Sequence, residues 1–182
     1  MLRRTLLAST VALAAATPAF AQKIDPENTL YMDLKYGRVV IRLLPQLAPK
    51  TVAQIKKLTR MKFYDGTPFH RVIEGFMAQG GDPTGTGTGG SSLPNVPLEV
   101  SDWHFVRGIC GMARTSDPNS GNSQFFIMFA PAPSLDGNYT IWGQVIKGMQ
   151  YVDEIKRGTG PNGEVEGQPD RIIRMRVAAD VK

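Results

Sequence analysis

The chain is short of most groups that would signal metal, redox or nucleotide chemistry. It has one cysteine, Cys110, so no intramolecular disulfide can form even in an oxidising compartment. Cys110 sits in the apolar stretch Gly-Ile-Cys-Gly-Met and reads as a small buried hydrophobe, with a reactive thiol as the alternative. The only two histidines, His70 and His104, cannot build a zinc set with one cysteine, so no metal and no cofactor is implied. The glycine-dense run GGDPTGTGTGGSS at 80–92 is not followed by Gly-Lys-Ser/Thr or by a helical pattern, which argues against a phosphate cradle and for a long surface loop. The excess of 21 basic over 16 acidic residues is too mild to argue for nucleic acid, and the basic residues are scattered rather than striped with aromatics, so no nucleic-acid partner is expected. There is no internal repeat and no linker.

The N-terminus has the character of an export signal. Arg3 and Arg4 precede an apolar run at 6–16, and Ala19-Phe20-Ala21 supplies the small-residue cleavage site. The run is well short of the roughly 20 residues of a membrane span. The expectation is a signal peptide over 1–21, a periplasmic protein and no membrane span in the mature form. A buried N-terminal helix is the alternative. Arg3-Arg4 also hints at twin-arginine export, but a general secretory route fits the surrounding residues better. Cleavage leaves 161 residues with a net charge of +3, a size suited to one domain and here expected to be a monomer.

Residues 22–28 read as a polar, flexible lead-in to a domain over 29–182. Leu30, Met32 and Leu34 alternate with polar neighbours, Tyr36-Gly37 turns, and Val39, Ile41 and Leu43 alternate again, which predicts a hairpin. Pro49 suits the first turn of a helix, and Val52, Ile55 and Leu58 give that helix an apolar face with its lysines solvated. Further strands are expected at 106–113, 124–129 and 139–145. A second helix carries Met149, Val152 and Ile155, with Lys156 and Arg157 in its last turn, and Ile172 to Val177 forms a final strand. Many short strands and two helices make the fold mainly β, sandwich or barrel.

The most informative stretch is FHRVIEGFMAQGGD at 69–82. In a strand, Phe69, Arg71 and Ile73 would share one face and His70, Val72 and Glu74 the other. An arginine between large apolar residues is not an ordinary solvated charge. An ion pair to an acid such as Glu99 is the alternative. MARTSDPNSGNSQFFIMF at 112–129 and SLDGNYTIWGQV at 134–145 follow in order. Together the three motifs resemble the cyclophilin-type peptidyl-prolyl cis-trans isomerases, over essentially everything after residue 28.

The resemblance implies a closed eight-stranded antiparallel barrel capped by two α-helices, with the substrate in a groove outside it. It implies an isomerase of X–Pro peptide bonds, acting on proline-containing segments and assisting the folding of exported proteins. Arg71 would be the catalytic residue. Phe76, Met77, Phe126 and Leu135 would form the proline pocket, for which plain core packing is the alternative. Gln79 would hold the substrate carbonyl and orient Arg71, Gln124 would be a second polar groove residue, and Ala113 and Arg114 would pair with the peptide backbone. Many members carry Trp where Ser134 stands and His where Tyr139 stands. Tyr139 still offers a ring and a hydroxyl to the groove, whereas Ser134 opens its rim, so weak cyclosporin binding is expected. His70 should face away from Arg71, which argues against acid–base catalysis. The rival readings are a proline-segment binding module or holdase on the same fold, and a small-molecule carrier with an open lumen.

Overall fold

The computed structural model describes residues 24–181, so the expected signal peptide lies outside the described residues. Eight strands are present: β1 (Thr29–Leu34), β2 (Gly37–Leu43), β3 (Arg71–Ile73), β4 (Met77–Gly80), β5 (Ile109–Met112), β6 (Phe125–Met128), β7 (Ile141–Lys147) and β8 (Arg174–Val177). Two helices accompany them, α1 (Pro49–Arg60) and α2 (Met149–Asp153). All pairings are antiparallel and the strand order is β3-β4-β6-β5-β7-β2-β1-β8.

Side-chain alternation divides the apolar residues into two clusters. On β6, Phe125 and Ile127 join the interior core with Val72, Ala78, Cys110, Trp142 and the α1 residues Val52, Ile55 and Leu58. Phe126 and Met128 face the other way and pack with Met77, Phe105, Ile109 and Ile141 in a second cluster. A strand buried on both faces needs no polar alternation, which is why β6 reads as a continuous apolar run. The outer cluster is the platform of the site described below.

Helix α1 starts with Pro49 at its first turn, as expected, but Ala48 offers no side-chain cap. The Glu99 carboxylate fills that role, accepting from Lys50 N at 3.0 Å and Thr51 N at 2.8 Å. A carboxylate there satisfies free N–H groups and suits the helix dipole. Glu99 is therefore committed to the helix and is not the partner of Arg71.

Several expectations need correction. The sheet is strongly curled, but β3 and β8 share no ladder, so the barrel is not closed by strands. The gap is filled by irregular chain between α2 and β8. Val72 N donates to Gly163 O, Gly158 N to Val72 O and Val165 N to His70 O, while Phe69 N donates to Asp170 O and Ile172 N to Thr67 O. The described part of the lead-in is structured: Asp25 caps a 3-10 turn over Pro26–Asn28, and Glu27 pairs with Lys56 and Arg60 of α1. Helix α2 ends at Asp153, so Lys156 and Arg157 lie beyond it. Arg157 still serves the freed carbonyls, with Nη1 donating to Asp153 O and Ile155 O. Strand β8 begins at Arg174 instead of Ile172: Ile172 is buried and Ile173 exposed, whereas one unbroken strand would put Ile173 on the buried face of Met175 and Val177.

Candidate active site on the outer face of β3, β4, β6 and β5

Register places four positions in one row across the outer face. Arg71 on β3 is opposite Gln79 on β4, Gln79 is opposite Phe126 on β6, and Phe126 is opposite Gly111 on β5. Directly opposed residues point to the same face, so the row runs from a guanidinium through an amide to an aromatic ring. Ile73 and Met77 form the next row, opposite Met128. Gly111 ends the row because nothing larger fits: a Cβ there would lie 2.3 Å from Phe126 Cζ.

Loops complete the enclosure. Phe76 comes from the β3–β4 turn, and Leu135 ends a 3-10 turn over Pro133–Leu135, with Tyr139 following. Arg71, Phe76, Met77, Gln79, Ala113, Arg114, Phe126, Leu135 and Tyr139 line one cavity of about 360 Å³. Nine of the ten residues expected in the site thus surround one space. Gln124, the tenth, lines an adjoining cavity of about 430 Å³ together with the glycine-rich loop, and the two share Gln79, Ala113 and Arg114. A larger cavity of about 660 Å³, between the N-terminal turn, Trp103 and Ile146, contains none of these residues.

Arg71 is half-buried and held by neutral acceptors. Its Nε donates to Asn162 O at 2.8 Å and its Nη1 to Gln79 Oε1 at 3.1 Å. Among the described residues no carboxylate lies within salt-bridge distance of it and none accepts a hydrogen bond from Nη2. The Asn162 side-chain amide chiefly holds the Glu164 carboxyl below the usual range, with Arg71 a minor contributor. The alternation expected around Arg71 holds for Ile73 but not for Phe69, which is fully buried in the interior core. The strand starts only at Arg71, so the period-2 pattern does not extend back to residue 69.

The wall opposite is stiff. The Arg114 guanidinium lies 4.6 Å from the Tyr139 ring centroid, while its Nε and Nη2 both donate to Asn138 O. Tyr139 meets Phe126 edge-on with centroids 5.7 Å apart, and Phe105 supports Phe126 from behind at 5.6 Å. The Ala113 N–H is already used on Gln124 O, so a peptide running past this pair has to use other groups. Ser134 is exposed on the 3-10 turn and does not line the cavity. His70 is buried away from both cavities under the glycine loop, and burial pushes its pKa below the ordinary value. His104 is at the surface, bonded to Asp136, and Cys110 is buried with its thiol pushed up by desolvation.

Asn162, Gly111 and Asp82 were not identified from the sequence. Asn162 reaches Arg71 through a backbone carbonyl 91 positions away in the chain, and no residue-type pattern signals such a contact.

The family model for cyclophilin-type peptidyl-prolyl cis-trans isomerases matches residues 29–177. A probable peptidyl-prolyl cis-trans isomerase of Brucella suis is 50% identical over 187 residues, covering 96% of this chain and 95% of the relative. The human peptidyl-prolyl cis-trans isomerase-like 1 is 42% identical over 135 residues, covering 72% of this chain and 80% of its own. Among solved structures, the cyclophilin AquaCyp293 from Hirschia baltica superimposes with a TM-score of 0.77 at 30% identity, covering 87% of this chain and 77% of that one. A Cryptosporidium parvum cyclophilin-type isomerase crystallised in the presence of the dipeptide Ala-Pro gives 0.74 at 30% identity, covering 82% of this chain and 98% of that one.

Proposed function

The chain belongs to the cyclophilin-type peptidyl-prolyl cis-trans isomerases, and from that premise we propose that Arg71 lowers the barrier to X–Pro rotation for a proline seated in the 360 Å³ cavity. The observation carrying this reading is the row from Arg71 through Gln79 to Phe126, which puts a guanidinium at the edge of an apolar floor.

Resonance makes peptide rotation slow, with a barrier of about 18–20 kcal/mol. The two X–Pro isomers are close in energy, so a catalyst needs neither nucleophile nor covalent intermediate. It needs to favour the twisted amide, whose nitrogen has recovered its lone pair. Phe76, Met77, Phe126 and Leu135 hold the prolyl ring in both isomers. Arg71 donates to the nitrogen only when the bond is twisted, so the interaction lowers the barrier instead of adding uniform binding. Taking exchange from tens of seconds to milliseconds requires roughly 10⁴- to 10⁵-fold, or about 5.5–7 kcal/mol. Arg71, with no carboxylate partner among the described residues, supplies part of that, and positioning between the Tyr139 wall and the Phe126 floor supplies the remainder.

The basic, apolar and Ala-Phe-Ala leader directs the enzyme to the periplasm, where its substrates are proline-containing segments of exported proteins that are still folding.

The test is cis–trans exchange of an Ala-Pro peptide with the protein lacking residues 1–21. Arg71→Ala should lower kcat and kcat/KM together, by roughly 10- to 150-fold for a charge-assisted hydrogen bond of about 1.5–3 kcal/mol. Near-native turnover in that variant would remove Arg71 from the mechanism.

A further inference from the structure

The glycine-rich loop has a buried charge at its root. Asp82 is fully buried, and its carboxylate accepts from Thr84 N at 2.8 Å, Thr84 Oγ1 at 2.7 Å, Gly87 N at 2.6 Å and Gly89 N at 3.1 Å. Burial alone would raise its pKa, but these donors outweigh it and hold the carboxyl below its ordinary value. The loop wraps the carboxylate so tightly that a Cβ at Gly89 would lie 2.1 Å from Asp82 Oδ1.

With their N–H groups turned to Asp82, Gly87 and Gly89 both offer their carbonyls to one neighbour. Gln124 Nε2 donates to Gly87 O at 2.9 Å and to Gly89 O at 2.8 Å. A carbonyl can only accept, so two of them facing one amide determine which end of that amide is NH₂. Gln124 must therefore present Oε1 on its other side, where Gln79 Nε2 donates to it at 2.9 Å. Gln79 is in turn left with Oε1 for Arg71 Nη1 at 3.1 Å. Reversing Gln124 would reverse Gln79 as well, and an NH₂ group would then face the guanidinium, donor against donor.

We propose that Asp82 is a positioning residue for the reaction: by folding the glycine loop around its carboxylate it sets the polarity of the Gln124–Gln79 relay that holds Arg71 at the cavity. The proposal rests on the reading of Arg71 as the acting group. It gives Gln124 a role in orientation, distinct from the substrate contact expected from the resemblance.

The test compares wild type, Asp82→Asn, Arg71→Ala and the double variant in Ala-Pro exchange. Asn keeps the size of Asp but presents an NH₂ where the loop supplies N–H donors. Asp82→Asn should lower kcat about tenfold with KM within about twofold, because a misaligned acting group costs turnover more than binding. In the Arg71→Ala background the same change should cost nothing further, a non-additivity that loose loop packing would not produce. The Arg71 Nε–H resonance should also shift or broaden in Asp82→Asn alone. Gln124→Leu, which removes the relay but leaves Asp82 and its donors in place, should show the same epistasis and serves if Asp82→Asn does not fold. Full kcat in both variants, or an equal loss in the Arg71→Ala background, would overturn the proposal. Retained turnover in Arg71→Ala itself would instead overturn the reading beneath it.

Discussion

Replacing Gly111 by alanine tests the geometry of the site without touching a polar group. A Cβ at this position would lie 2.3 Å from Phe126 Cζ, 2.6 Å from Phe126 Cε2 and 2.8 Å from Phe105 Cε1. Carbon atoms rest at about 3.5–4.0 Å, so the Phe126 ring has to retreat by more than about 1 Å. Phe105 and Tyr139 flank the ring, which leaves the cavity as the open direction. The ring would then rise into the space assigned to the prolyl ring. Overpacking of this kind costs about 1–3 kcal/mol, or roughly 2–12 °C in Tm for a domain of this size. A displacement of about 1 Å at a catalytic floor costs on the order of 100-fold in kcat/KM. Gly143→Ala is the control: its Cβ would meet Ile41 Cγ2 at 3.0 Å and Arg42 O at 3.2 Å, inside the barrel and away from the cavity. It should lower Tm and leave kcat/KM near native well below the transition. Thermal unfolding by circular dichroism and Ala-Pro exchange on the same samples separate the two effects. A Gly111→Ala protein with native kcat/KM would refute the assignment of Phe126 as the cavity floor.

Three further outcomes are expected. Arg60 and then Lys56 pull the Glu27 carboxyl from 4.5 to about 2, so the stability it contributes is present above the unfolded value and lost as pH falls through the folded one. The stability difference between wild type and Glu27→Gln should therefore fade between about pH 4.5 and pH 2, and because the side chain is half exposed it should stay below about 1 kcal/mol; a constant difference across that range would contradict the ion-pair origin. Cyclosporin should bind weakly, and Ser134→Trp should tighten it about 30- to 150-fold, corresponding to roughly 2–3 kcal/mol of recovered aromatic contact. Titration in the exchange assay checks this, and tight inhibition of the unaltered protein would show that the rim is misassigned. Cys110 should resist iodoacetamide at pH 8 in the folded protein and react fully in denaturant, as read by mass spectrometry, since burial raises its thiol pKa.

The parts of this fold that were legible in the sequence are those decided by local rules. Pro49 marked the first turn of α1 correctly, and the β1–β2 hairpin follows from two alternating runs around a turn. The grouping of Phe76, Met77, Phe126 and Leu135 around one cavity follows from the order of three motifs, since their burial alone is shared with any core. What was not legible depends on contacts distant in sequence. Phe69 lies inside because residues 69 and 70 bond to chain near 165–170 before the pleat of β3 begins. Helix α2 stops early as Lys156 N is drawn to Asp170 Oδ2 at 2.9 Å. The glycine loop looked like a plain surface excursion because nothing in its composition indicates that Asp82 is buried beneath it.

The irregular chain that fills the gap between β3 and β8 bears on how a protein can handle unfinished polypeptides. A free strand edge is a template for any extended chain, and unfolded segments are the molecules most ready to pair with one. Here the outward backbone groups of Val72, on the strand bearing Arg71, are taken by its own chain: Val72 N donates to Gly163 O, and Val72 O accepts from Gly158 N. A client that docked by strand addition would be held by its main chain in any register, and would leave slowly. With that edge occupied, the proposed place to bind is the cavity beside Arg71, where Phe126 and Met77 would hold a prolyl ring through their side chains. A segment held in that way would leave more readily than one paired along a strand edge, as turnover on an X–Pro bond requires.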